Sequence, residues 1–387
     1  MAWYSNYKDY LIEASSLLES INQRVRTNRD LFSFFSDLEK EYLTKFIFES
    51  NNIEKEGLEE GETAKLVFEV IKENDLNEIL KNLQNQLFNI KFEILPKKDF
   101  NPEKLNLEDF DLTVGYKGKK KDIDLVINSF IALMTSLDYI IDFVENLNVF
   151  LNDKENAKKT MKGLKDSDYN YGCGSSYSKF IRYLKSKHDD GKYLITEEKI
   201  KKLHEILSEG MDNNDNGSPG EYRPEPAHAG DFKTVFMEPS VINESMKNLI
   251  QNHQKRFRKI HYNPFIEACK FTGDFNIIHP FGDFNGRIAR IILNMFLRFE
   301  LSPFYIILRS RQKDKKKYMT AMKHYYQGMP NSYLALVCKI FIDEVHSINS
   351  RLEMANIEPI KPIKLSETAV KLIDEALKEY KSSSKRF

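Results

Sequence analysis

The stretch Ile277 to Arg290, IIHPFGDFNGRIAR, gathers the side-chain types that hold phosphate and move protons. His279 is the natural general base, because imidazole titrates near neutrality. Asp283, an acceptor-only carboxylate in the same turn, suits a magnesium ion that shares its coordination with phosphate oxygens. Asn285-Gly286 reads as a tight turn. Arg287 and Arg290 stand three residues apart and share one face of the helix that follows. Arginines are disfavoured by the dipole at a helix N-terminus unless an anion occupies the site, so the spacing predicts a phosphate cradle beside a base. Phe284 is the discordant residue, since glycine would leave the turn free to adopt positive φ. A phenylalanine there either keeps φ negative and reshapes the turn, or accepts left-handed strain of about 1 to 3 kcal/mol.

Two helices must frame this loop. Pro280 disfavours helix at His279, so one helix stops there and the next begins near Arg287. Around them, apolar residues recur at three and four spacings over Tyr4 to Phe48, Ala64 to Phe88 and Ile123 to Leu151, which predicts amphipathic helices through the first half. The same period runs through Glu197 to Leu207, Val241 to Arg258, Pro264 to Phe275, Arg287 to Arg298, Asp314 to Tyr326 and Ser332 to Leu352. A linker, NIEPIKPIKL, precedes a last helix, and the tail KSSSKRF reads as disordered. Glu221 to Pro239 carries too many prolines for a helix and reads as a short β-hairpin. The expected fold class is therefore mainly α. No fixed-period repeat is present.

Composition narrows the function classes. The chain of 387 residues is 41% hydrophobic and 12% aromatic, enough for buried cores. Lys plus Arg (58) balances Asp plus Glu (58), so no global basic field drives it to nucleic acid or membranes, and any anion site must be local. Cys173, Cys269 and Cys338 have unrelated spacings and read as reduced thiols of a cytoplasmic protein, or of one delivered to another cell. The N-terminus lacks the pattern of a secretory signal. The apolar run from Ile123 is interrupted by Asp124, Asp138 and Asp142, which a bilayer core would penalise, so it reads as a core helix.

Taken together, His279, Pro280, Phe281, Asp283, Asn285, Gly286, Arg287 and Arg290 resemble the signature of the Fic (Fido-domain) family, H-P-F-x-[D/E]-G-N-G-R-x-x-R. LHEILSEG, PGEYR, VFMEPSVINESM, NPFIEACKF and KYMTAMKHYYQGMP fall in the family's order, over roughly Glu197 to Ile348. The resemblance implies a Fic-type helical bundle with a hairpin flap: an N-terminal helical region over 1–190, a Fic core over 191–350, and a linker, C-terminal helix and tail over 351–387. It also implies transfer of AMP from Mg2+-ATP to a Ser, Thr or Tyr hydroxyl of a target protein, with neither nucleic acid nor membrane as partner. A homodimer is left open. His279 would deprotonate the target hydroxyl. The loop through Gly282, Asp283, Phe284, Asn285 and Gly286 would carry the phosphates, with Asp283 on the metal. Asn285 and Arg287 would meet the α and β phosphates, Arg290 the γ phosphate, and Tyr318 would lie near the base. Tyr326 stands where relatives often have asparagine. Ala227, His228, Ala229 and Gly230 resemble the flap that pairs with the target backbone by strand addition.

Ser50 and Glu54, at i and i+4, share a helix face. In SNNIEKEGL they resemble the family's inhibitory [S/T]-x-x-x-E-[G/N] motif, with Lys55 in place of Gly or Asn. This implies an inhibitory helix at about 45–60 whose Glu54 pairs with Arg290 and blocks the γ-phosphate site. Rival readings are removal of AMP, transfer of phosphocholine or UMP, and a non-catalytic binding module. Other signals carry little. DNNDNG from Asp212 opens like a calcium loop, but Arg223 falls where the twelfth-position glutamate belongs. YGCGSSYS (171–178) reads as a loop without a positioned base, and the basic run from Arg309 to Lys317 as a solvated helix start.

Overall fold

The computed structural model describes residues 4–25, 28–74, 76, 119–150, 182, 185–186, 191–211, 217–229, 235–300 and 305–383. The 171–178 loop, the calcium-like stretch at 212–216, Gly230 and the last four residues lie outside these. Eleven helices occur among the described residues: α1 (Tyr7–Val25), α2 (Arg29–Ile53), α3 (Glu60–Glu73), α4 (Lys120–Phe150), α5 (Glu197–Ser208), α6 (Pro239–Phe257), α7 (Pro264–Ile278), α8 (Asn285–Phe299), α9 (Gln312–Tyr326), α10 (Asn331–Met354) and α11 (Glu367–Ser383). The fold is mainly α, as the periodicity predicts. The hairpin expected at Glu221 to Pro239 is not shown: the described part has one antiparallel bridge, His228 to Val235, and the bond from Phe236 N–H to the Ala227 carbonyl (3.1 Å).

Helices α7 and α8 form the centre. α7 packs against α6, α8, α9, α10 and α11, while α8 packs against α2, α4, α5 and α7. Both are buried nearly all round, enclosed by the other helices, so their polar side chains must find partners inside the protein. The start of α7 is fixed by Asn263, whose side chain accepts the N–H groups of Phe265 and Ile266, with Pro264 at the first helical position. Gly273 lets α9 approach: a Cβ there would lie 2.3 Å from the Tyr325 ring. The Tyr325 hydroxyl then donates to Asp274 Oδ1 (2.8 Å), itself paired with Lys270 (2.6 Å).

The N-terminal helices close around this pair. α1 packs on α10, and Arg24 donates to the Pro359 and Glu358 carbonyls (2.8 and 2.6 Å), tying the C-terminal linker to α1. α2 reaches α8 through a buried ion pair, Arg298 to Glu39 (3.0 Å), and Glu39 also accepts from the Tyr305 hydroxyl (2.8 Å). The apolar stretch of α4, Lys120–Phe143, is long and apolar enough to cross a membrane by length and composition, but 83% of that window is buried here against neighbouring helices.

Candidate functional site

The loop between α7 and α8 is bracketed by two left-handed residues that are not glycine. His279 (φ 50°, ψ 60°) caps the C-terminus of α7, its N–H bonded to the Phe275 carbonyl at 2.8 Å. Phe284 (φ 61°, ψ 0°) is the N-cap of α8. It therefore takes the strained alternative, and the turn keeps the shape that a glycine would give it. Its ring goes inward and is 7% exposed. It meets the His204 ring edge-on (centroids 6.1 Å apart), and the Arg287 guanidinium sits 4.7 Å from its centroid. His204 stacks on Phe281 at 4.0 Å and accepts the Gly220 N–H through Nδ1 (2.9 Å). Burial pulls His204 down to about 4, so at neutral pH it is an uncharged acceptor.

Within the loop, Asn285 turns its amide back on the chain. It donates to the Phe281 carbonyl (2.7 Å) and accepts the Phe281 N–H (3.0 Å), so it braces the loop. Gly282 lies in the same turn, half-buried. Asp283 is exposed and accepts the Phe284 N–H at 2.6 Å. α8 begins at Asn285, two residues earlier than the sequence predicts, and no side chain caps its N-terminus.

A cavity of about 600 Å³ opens over this loop. His279, Asp283, Phe284, Asn285, Gly286, Arg287 and Arg290 line its floor, and Ile53 and Glu54 close one side. His228, Ala229 and Phe236 form another wall, and α9 supplies Lys315, Tyr318, Met319 and Tyr326. Ala227 adjoins through its carbonyl bond to Phe236.

The two arginines meet different partners. Arg287, 2% exposed, pairs through Nη2 with Glu56. Its Nε and Nη1 are buried without a hydrogen-bond partner among the described residues. Orphaned guanidinium N–H groups are costly, and Arg287 is among the residues that line the cavity. Arg290 donates Nε to Ser50 Oγ (2.9 Å) and Nη2 to both the Ser50 carbonyl (2.9 Å) and Glu54 Oε1 (2.8 Å). Tyr318 is buried, and its hydroxyl is pushed up by burial beside Arg290 and Glu54.

The helix expected at about 45–60 ends at Ile53, with Glu54 as its C-cap. Lys55 (φ 63°) and Gly57 (φ 88°) then turn the chain left-handed, which presents Glu54 to Arg290 and Glu56 to Arg287. Gly286 makes room: a Cβ there would lie 3.0 Å from Glu54 Oε1 and 3.1 Å from Arg290 Nη1. Burial raises the Glu54 carboxyl, but Arg290, Arg287 and Lys315 outweigh it and hold it below its usual value. The end of α2 is fastened by Lys315, which donates to the Ile53 carbonyl, by Glu49, which accepts the Ser310 N–H (2.6 Å), and by Asn52 on Ser310 Oγ (3.0 Å).

The His279 ring lies parallel on Phe236, with centroids 3.7 Å apart at 4°. Burial first, and the Arg223 charge second, pull its pKa down to about 4, so it is an uncharged base at neutral pH. Glu56, Arg223, Phe236 and His204 are site residues to which the sequence assigned no role at the site. All four lie in stretches that resemble the family, SNNIEKEGL, PGEYR, VFMEPSVINESM and LHEILSEG, and those stretches are the signal that could have marked them. No group of three or more His, Cys, Asp or Glu side chains is arranged to cage a metal among the described residues. A magnesium ion that arrives with phosphate needs only one or two carboxylates from the protein, and the exposed Asp283 on the cavity wall fits that requirement.

Comparison with known proteins gives a family model, described as Fic/DOC family, that matches residues 194–297. A Fido domain-containing protein from Dictyostelium discoideum is 33% identical over 132 residues, spanning 34% of this chain and 89% of that protein. Among solved structures, a Fic domain-containing signalling protein from Bacteroides thetaiotaomicron is 15% identical, with a TM-score of 0.47 covering 95% of this chain and 97% of the other. Residues 134–508 of Fic-1 from C. elegans are also 15% identical, with a TM-score of 0.47 over 88% of this chain and 73% of the other.

Proposed function

Because this chain belongs to the Fic/DOC family, whose members typically transfer phosphate-linked groups, we propose that it is a protein adenylyltransferase held back by Glu54. The observation that carries this reading is Arg287: a buried guanidinium with two unpartnered N–H donors, bordering a cavity that also holds an uncharged histidine and an exposed carboxylate. A phosphate group seated against Arg287 would supply acceptors for a guanidinium that has a single hydrogen-bonding partner, Glu56, among the described residues.

The chemistry follows from the positions. A target Ser, Thr or Tyr hydroxyl beside His279 gives its proton to the imidazole as its oxygen bonds to the α-phosphorus. The bond between that phosphorus and the bridging oxygen breaks, and pyrophosphate leaves. Arg287 and the uncapped start of α8 meet the charge on the phosphates. Mg2+ held by Asp283 would neutralise part of that charge when bound. Asn285 braces the loop through Phe281 and, lining the same cavity, would meet the α and β phosphates beside Arg287. Arg290 is engaged by Ser50 and Glu54, so a γ-phosphate arriving there meets a carboxylate. Glu56 occupies one edge of Arg287 in the same way.

A second reading rests on Glu54 itself. Its side chain is 39% exposed where it borders the cavity, so it has access to a water molecule that would release AMP from a modified target. Calorimetry with Mg-ATP tests the shared premise. The unmodified chain should bind weakly and Glu54→Gly at least about tenfold more tightly, since a charge-assisted contact no longer competes. No binding by either would leave only a non-catalytic module. Loss of label from a pre-modified target, dependent on Glu54, would select the reverse reaction.

A further inference from the structure

The segment before the flap carries a buried cation that the phosphate site does not use. Arg223 is 3% exposed. Its Nε donates to the His279 carbonyl (2.8 Å), its Nη1 to the Glu225 carbonyl (2.6 Å) and its Nη2 to the Met237 carbonyl, and its own N–H donates to the Pro280 carbonyl (2.9 Å). One planar fork thus ties both stems of the flap segment to the backbone of the base, a task that lysine's point-like ammonium cannot do. The tie matters because His279 sits at φ 50°, a conformation that costs a non-glycine residue about 1 to 3 kcal/mol unless its surroundings impose it. Phe236, from the far stem, stacks on the imidazole and fixes the ring plane.

We propose that Arg223 is a positioning residue: by clamping the His279 carbonyl to Glu225 and Met237, it holds the base in its left-handed, reactive orientation and couples that orientation to the flap. The proposal rests on the transfer reading for its rates, but its geometric content stands apart from it. Charge adds a signature. The charged groups that act on the imidazole are Arg223 from this segment and Glu54 from the end of α2; Asp283, Arg287, Arg290, Lys315, Lys316 and Lys323 line the same cavity. Arg223 disfavours the protonated ring and Glu54 favours it.

The test uses the full chain carrying Glu54→Gly, with Arg223→Lys and Arg223→Gln added singly. Two quantities are read: self-labelling by ATP radioactive at the α-phosphate, over a range of ATP concentrations, and the NMR titration of His279, identified against His279→Ala. Arg223→Lys and Arg223→Gln should both keep KM for ATP within about twofold while kcat falls at least about tenfold, because ATP does not need Arg223 and the base does. The His279 midpoint should stay low in Arg223→Lys and rise by about half a pH unit or more in Arg223→Gln. Unchanged kcat per folded molecule, or parallel changes in KM and kcat, would overturn the proposal. If neither variant folds, the Glu54→Gly parent still decides: a His279 midpoint near 6.5 would mean that the base does not feel the clamp. Absence of labelling in the parent would defeat the transfer reading alone, since the titration needs no turnover.

Discussion

A left-handed phenylalanine costs about 1 to 3 kcal/mol, and Phe284 offsets that by burying its ring between His204 and Arg287. Phe284→Gly should relieve the strain but forfeit the buried ring, a loss of about 3 to 5 kcal/mol, so stability falls by about 2 kcal/mol in chemical denaturation. Since the turn already has its glycine-like shape, AMP transfer should stay within about fivefold, whereas a hundredfold gain would mark the wild-type loop as impaired. For His279, the folded pKa of about 4 lies below the unfolded value near 6.5. The sign is that of a depressed base: its contribution to stability is complete above about 6.5 and is lost as the pH falls through about 4. In Glu54→Gly, kcat/KM should be flat from pH 8 to about 5 and decline only toward 4, and a limb near 6.5 would contradict the burial of the base. The signature residues were legible from type and spacing alone. The bracing bonds from Asn285 to Phe281 were not, because type and spacing do not show which backbone groups an amide meets.

At the scale of elements, helix existence was legible from the three-four period, and ends moved by a few residues where caps decide. α2 is the informative case. Periodicity carried it to Phe48 and the family resemblance to about residue 60, but left-handed Lys55 and Gly57 end it and turn two carboxylates toward two arginines. Glu56 was not singled out because its pairing with Arg287 depends on the left-handed turn at Lys55, which residue type did not show. The α2 contact predicts graded release, measured as initial rates of labelling. Ser50→Ala removes one acceptor from Arg290 and should raise the rate about tenfold, with Glu54→Gly exceeding it. Adding Glu56→Gln to Glu54→Gly should lower KM for ATP about threefold further, as a partly exposed pair is worth about 0 to 1 kcal/mol. The Glu54 pair is complete above the ordinary carboxylate range and is lost as the pH falls below it.

Across the whole molecule, the placement of Glu54 beside Arg290 depends on how the N-terminal helices are fastened to the core. Glu39 is buried and bonded to both Arg298 and Tyr305, joining α2, α8 and the chain that follows. Glu39→Ala removes the carboxylate that meets both Arg298 and the Tyr305 hydroxyl and should cost about 3 to 5 kcal/mol in denaturant unfolding. Such long-range pairs, and the packing of α1 on α10, could not be read from a single sequence, since local period says which face is apolar and not what covers it. The most direct test of the central claim is labelling of protein by ATP radioactive at the α-phosphate, with Mg2+, in an extract of total protein. Label transfer should be weak in the unmodified chain, at least about tenfold stronger in Glu54→Gly, and absent when His279→Ala is added. Equal labelling with and without His279, or none in Glu54→Gly despite bound Mg-ATP, would contradict it.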